Sequence, residues 1–156
     1  MQKIFDNDHT EKVPEEDIKP GKVCWYLPHF GVYHPRKPDK IRVVFDSAAE
    51  CDGLSLNKLL LSGPDMTNNL LEVLLRFREN PVAMVADIEQ MFHCFQVKEE
   101  HRDPLRFLWY KDNEQNGDIT EYRMKVHIFR NTSSPAVANH GLRKTAEVGE
   151  AVFLRR

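Results

Sequence analysis

Most of the signatures that would disclose a function at a glance are missing from this chain. Its 156 residues contain no Gly-rich phosphate loop, no CxxC or CxxH spacing and no internal repeat. No apolar run reaches the roughly 20 residues that a membrane-crossing helix requires, and no signal-peptide pattern opens the chain. Cysteine is scarce: Cys24, Cys51 and Cys94 are odd in number and widely spaced, which points to neither a disulfide framework nor a zinc site. These absences fit a reducing, intracellular setting, cytoplasm or nucleus. The seven histidines form no metal-ligand pattern. A net charge of −2 gives no overall electrostatic reason to bind nucleic acid.

What is present suffices for one folded domain or a piece of one. Hydrophobic residues make up 41% of the chain and include nine Phe. Charge is unevenly placed. Residues 1–20 carry six acids (Asp6, Asp8, Glu11, Glu15, Glu16, Asp17) against three lysines and few apolar residues. They read as a disordered acidic tail ending at the Pro20-Gly21 turn signal. Residues 34–44, "HPRKPDKIRVV", hold Arg36, Lys37, Lys40 and Arg42 against Asp39 alone.

The element pattern is mixed. Residues 22–33 are aromatic and β-branched, an edge strand because of Pro28. "IRVVFD" alternates, and with the "HPRKPDK" turn it makes a β-hairpin with a cationic tip. "SLNKLLL" allows a short helix. "DMTNNLLEVLLRFREN" predicts a helix capped by Asp65 or Thr67 and stopped at Asn80-Pro81. Residues 82–88 form an apolar run suited to a strand buried on both faces. "LRFLWY" and "ITEYRMKV" alternate around the Asn116-Gly117 turn signal and predict a second hairpin. Ser134 and Pro135 suit N-cap and N1 of a helix running to about Glu147, with Gly141 weakening it. The class is α+β.

On this grammar the chemistry stays open. Asp87 sits where the apolar run emerges, and is either an acid that merely ends a strand or an oxygen ligand for a hard cation such as Mg²⁺. Met91, Phe92 and Phe95 read as core. The basic hairpin is either a solvated turn or a phosphate grip, with Arg offering a bidentate fork and Lys a point charge. His93-Cys94 suggests a nucleophilic pair, but neighbours on a strand point apart.

Taken in order, "WYLPHFGVYHPRKPDKIRVVFDSAAECDGLSLNKLLLSGPDM", "LLRFRENPVAMVADIEQMFHCFQV", "LRFLWY", "YRMKV" and "SSPAVAN" resemble the reverse transcriptases of LTR retrotransposons, the Bel/Pao type most closely. The resemblance covers about residues 22–146. It implies the fingers and partial palm of an RNA-directed DNA polymerase over 21–148, with 149–156 a tail unlike the family. It implies that Arg42 and Lys37 touch the incoming triphosphate. Asp87, helped by the Ile88 carbonyl, would bind the two Mg²⁺ (or Mn²⁺) ions, and Phe92 would be the steric gate against a ribose 2′-hydroxyl. Arg36, Ser134 and Pro135 would lie near template or pocket. Partners would be template-primer, a deoxynucleoside triphosphate, and the missing palm and thumb segments of a polyprotein, with no membrane.

The implied chemistry is physically coherent. Two-metal nucleotidyl transfer places carboxylates under the cations and positive side chains on the triphosphate. Two departures stand out. The family's Phe-Gly is Phe129-Arg130 here, so arginine either obstructs the nucleotide pocket or adds a phosphate contact. No Asp follows Asp118, so the family's adjacent-aspartate hairpin is absent. The chain by itself is therefore expected to be inactive. The alternatives are a non-catalytic nucleic-acid- or partner-binding module, or a remnant without function.

Overall fold

The computed structural model describes residues 1–114 and 117–153, with side chains for all of these except 37–39 and 153. In chain order the elements are α1 (Gln2–Asp6), β1 (Thr10–Lys12), β2 (His29–His34), β3 (Lys37–Phe45), α2 (Leu56–Leu59), α3 (Leu70–Phe77), β4 (Arg106–Tyr110), β5 (Ile119–Met124) and α4 (Ser134–Phe153), joined by short 3₁₀ turns. The fold is mixed α and β with small antiparallel sheets.

Both hairpins form, but the first has other bounds than expected: residues 22–28 lie outside β2, and β3 begins at Lys37, inside the segment read as the turn. β2 and β3 pair from His29↔Phe45 to His34↔Lys37, with an irregularity at Tyr33/His34, so Pro35 and Arg36 make the tip. β4 and β5 pair from Arg106↔Arg123 to Tyr110↔Ile119. Asn116 of their connecting turn lies outside the described residues. One face of this second hairpin carries Phe107, Tyr122 and Met124 into the core, where they meet Leu27, Phe45, Leu56, Leu105, Val126 and Ile128. Phe107 lies 5.1 Å from the Phe45 ring and 5.8 Å from that of Tyr122, which ties the two hairpins together through aromatic contacts.

The first twenty residues are not a loose tail. β1 pairs with β5 through Thr10↔Met124, Glu11↔Arg123 and Lys12↔Tyr122, so the main sheet runs β1–β5–β4. Ile4 and Val13 are buried, and Phe5 packs edge-on against Tyr122 at 5.1 Å. The reason lies on the other face of β4 and β5. Arg106 and Arg123 stand opposite each other, 2% and 1% exposed. Two like charges facing across a sheet are unfavourable unless neutralised. The acids of the N-terminal segment supply part of that charge. Arg123 donates to Glu11 at 2.7 Å and Asp17 at 2.8 Å, and Arg106 donates to the Asp17 carbonyl at 2.9 Å. Asp103 accepts from Arg106 at 2.7 Å and from Arg123 at 3.3 Å, and pairs with Lys22 at 2.8 Å. Glu121 takes the remaining Arg106 nitrogen at 3.2 Å. Burial alone would push the Asp103 carboxyl up, but Lys22 and Arg106 together hold it below its ordinary value.

Two other segments depart from expectation. Residues 82–88 form no strand. Val82, Met84 and Val85 are 77%, 90% and 85% exposed. No backbone hydrogen bond joins residues 80–89 to the rest of the described chain. A strand exists only through a neighbour's backbone, and hydrophobicity without such a neighbour leaves extended chain. The preceding helix is shorter than expected. It starts at an Asn69 cap accepting from Leu71 N–H at 2.9 Å, while Asp65 instead closes a turn onto Thr67 N–H. None of its residues is buried. At the other end, α4 runs on to Phe153 and absorbs most of the segment read as a tail. Gly141 has a packing reason within it: a Cβ there would overlap the Phe95 ring, with two ring atoms only 2.9 Å away.

Among the described residues, no helix is long and apolar enough to cross a membrane.

Candidate functional site

The cationic hairpin projects from the core on Phe45. Arg36, Lys40 and Arg42 are exposed, and none takes part in an ion pair among the described residues. Exposed Phe30, Val32, Tyr33 and Ile41 accompany them on the same two strands. The Lys37 backbone belongs to β3, but its side chain lies outside the described part of the structure. Arg36 N–H donates to His34 Nδ1 at 3.1 Å, which closes the tip. Positive charges without ionic partners among the described residues, interleaved with aromatic rings, suit a polyanion bearing stackable bases.

Asp87 is exposed and accepts no hydrogen bond from the described residues, and the buried strand expected to lead into it is not present. After it, Gln90 adopts a left-handed backbone at φ 53°, and residues Met91–Cys94 make a 3₁₀ turn. This bend turns Phe92 inward to half burial, away from the exposed carboxylate segment. It also means that His93 and Cys94 sit on a turn rather than a strand. Cys94 Sγ points at the Gln90 carbonyl, 3.9 Å away, and not at an imidazole. No group of three or more His, Cys, Asp or Glu among the described residues is arranged to hold a metal ion. Two Mg²⁺ ions need several oxygen ligands to offset their mutual repulsion. A single exposed Asp87, with the Ile88 carbonyl, does not fit that pair.

Phe92 has company that sequence reasoning placed only by resemblance. Its ring lies 5.9 Å from that of Phe129, and the Arg130 guanidinium sits over Phe129 at 6.0 Å. Arg130 holds φ at 72°, the left-handed region that glycine enters without strain and other residues seldom occupy. Asn57 keeps it there. The Asn57 amide donates to the Arg130 carbonyl at 2.9 Å and accepts from Thr132 N–H at 2.9 Å, spanning the bend with one side chain. Asn57 in turn is fixed by α2, which Ser55 caps through Lys58 N–H at 3.4 Å, and by its own N–H to the Ser47 carbonyl at 2.9 Å. Ser47 Oγ donates to Asn131 Oδ1, which ties the end of β3 to the same bend. A polar residue in "LSLNKLL" carries no sequence signal for this role.

Ser134 and Pro135 lie just beyond. The first helical hydrogen bond runs from Val137 N–H to the Ser133 carbonyl, so Ser133 rather than Ser134 takes the cap position. Ser134 is buried at 1% exposure, and its hydroxyl donates to the Ile128 carbonyl at 2.9 Å, so it positions the bend and touches no solvent. Pro135, with Gly63, Pro64 and Asn139, lines a cavity of about 270 Å³ between α4 and the segment before α3.

A second cavity, about 480 Å³, opens between α1 and the 91–94 turn and contains His9 and His93. Their rings meet edge-on at 4.7 Å. Burial, with His9 alongside, lowers His93 to a pKa of about 4, so it stays neutral near pH 7. His9 Nδ1 is buried without a hydrogen-bond partner among the described residues.

The structure thus gathers Phe92, Phe129, Arg130 and the Ser134 bend into one region, and among the described residues brings neither Arg36, Lys40 and Arg42 nor Asp87 into hydrogen-bonding or ionic contact with it. No protein-family model matches the chain, and no curated protein matches it.

Proposed function

We propose that this chain is the fingers and front palm of a reverse-transcriptase-like, RNA-directed DNA polymerase, and that its own part of the work is to hold nucleic acid and nucleotide phosphate. The observation that carries the reading is the β2–β3 hairpin, an exposed tip whose Arg36, Lys40 and Arg42 lack anionic partners among the described residues, whereas Arg106 and Arg123 of the β1–β5–β4 sheet are each ion-paired. The aromatic pair of Phe92 and Phe129, its rings tilted at 45° to each other, adds an apolar surface against which a sugar or base can rest. Nucleotidyl transfer requires more carboxylates than Asp87 offers, so Mg²⁺-dependent synthesis belongs to a longer polymerase in which further acidic ligands join it. The chain alone acts as a non-catalytic binding module.

Fluorescence anisotropy with a labelled single-stranded oligonucleotide tests this. Binding should weaken with salt, and the double variant Arg36→Ala, Lys40→Ala should reduce the log–log salt slope by about 1.4, roughly 0.7 for each phosphate no longer neutralised on a single strand. An unchanged slope removes the hairpin from the interface. In a primer-extension assay with Mg²⁺ or Mn²⁺ the chain should add no nucleotide, and measurable incorporation would refute the metal argument.

A further inference from the structure

The geometry points to Arg130 as a phosphate-binding cation for a nucleoside triphosphate, presented on the aromatic pair of Phe92 and Phe129. The inference rests on the reading of that pair as the surface beneath the nucleotide. Three independent features single out this arginine. Its guanidinium lies 6.0 Å from the centroid of the Phe129 ring, and Phe129 is itself 56% exposed, so the flat cation stands beside an accessible apolar ring. Its backbone holds the left-handed conformation, which costs free energy for any residue with a Cβ. That conformation is enforced by both ends of the Asn57 amide. Finally, no carboxylate pairs with it among the described residues, a state it shares with exposed arginines such as Arg36 and Arg42 but not with Arg102, Arg106 and Arg123; only at Arg130 does it coincide with the ring and the braced backbone.

A strained residue that is braced from a neighbouring element and left without a counter-ion is poised for an external anion. The guanidinium fork suits a phosphate oxygen pair. Phe129, and behind it Phe92, suit the sugar or base attached to that phosphate. A binding defect at this position can be separated from a folding defect, because glycine relieves the left-handed strain. Arg130→Gly should therefore unfold at a temperature no lower than the parent chain.

The experiment is calorimetric titration of the full chain at low salt with deoxythymidine triphosphate and, separately, with inorganic tripolyphosphate. Arg130→Gly should weaken deoxythymidine triphosphate binding about tenfold, and Arg130→Lys should retain part of it, since it keeps a charge without the fork. Arg42→Ala is the parallel probe of the hairpin. If Arg42→Ala weakens binding and Arg130→Gly does not, Arg130 is excluded and the hairpin reading stands. If Arg130→Gly alone weakens it, the arginine site stands and the hairpin grip falls. Equal parent affinity for the two ligands would strip the aromatic pair of its part. No measurable binding by the parent overturns the site altogether.

Discussion

Asp103 is the residue on which the neutrality of the sheet's covered face depends, and its removal gives the sharpest test of that face. It is 5% exposed and accepts from Arg106 Nε at 3.0 Å, Arg106 Nη2 at 2.7 Å and Arg123 Nη1 at 3.3 Å, with Lys22 at 2.8 Å. In Asp103→Ala, Arg106 keeps only Glu121 and the Asp17 carbonyl, and Arg123 keeps Glu11, Asp17 and the distant Glu99 at 3.5 Å. Two guanidiniums then face each other with less charge between them. Breaking a buried ion pair costs about 3–5 kcal/mol, and the surviving partners put this case near the lower end, about 3 kcal/mol. For a chain of this size that lowers the unfolding midpoint by roughly 6–12 °C. Asp103→Asn, which keeps an acceptor oxygen but no charge, should lose about half as much. Trp25 donates its N–H to the Asp103 carbonyl at 3.2 Å and accepts from the Arg106 N–H at 3.1 Å, and it reports the transition by fluorescence in urea. Glu16→Ala removes an exposed acid of the same segment and should shift stability by less than about 0.5 kcal/mol. If Asp103→Ala and Glu16→Ala unfold together, the charge network does not hold the N-terminal segment.

Two further outcomes follow from packing and protonation. Gly141→Ala drives a methyl into the Phe95 ring and should destabilise by about 1–3 kcal/mol despite alanine's better helix propensity, while Gly141→Ala combined with Phe95→Leu should recover part of the loss in the same urea titration. His93 has its pKa lowered from 6.5 to about 4, so the folded state binds fewer protons than the unfolded state between those values. Stability from this group is therefore complete above pH 6.5 and lost as pH falls toward 4, at up to about 1.4 kcal/mol per pH unit. His93→Phe should flatten that slope, and an unchanged slope would show that other groups set it.

The two hairpins were legible because alternation survives in any context: Phe107 and Trp109, or Tyr122 and Met124, read correctly as one face from spacing alone. The opposite face was not legible. Arg106 and Arg123 have the polarity of solvent-facing residues, and only the arrival of acids from Glu11 and Asp17 explains why they are covered. The same acids, taken without their distant counter-charges, look like disordered chain. Residues 82–88 misled in the reverse sense, since an apolar run signals burial but cannot supply the neighbour whose backbone makes it a strand. Around the candidate site, the departure at Arg130 was visible as a residue type. Its left-handed backbone and its Asn57 brace were not, because no local pattern couples positions 57, 130 and 132.

The pairing of β1 with β5 also sets an order of events during synthesis. Thr10 pairs with Met124, and its hydroxyl bonds the Arg123 carbonyl across 113 positions of sequence. Residues 10–12 thus leave the ribosome well before their partner and find their places late, because β5 must first emerge and pair. Until then Glu11 and Asp17 have no arginine to neutralise, and the buried arginines, once made, have no lid. Such long-range closure is slow relative to hairpin formation. The nascent chain passes through an interval in which the β4–β5 hairpin exists with its charged face open to water, and a folding chase should detect the hairpin's protection before that of residues 10–13.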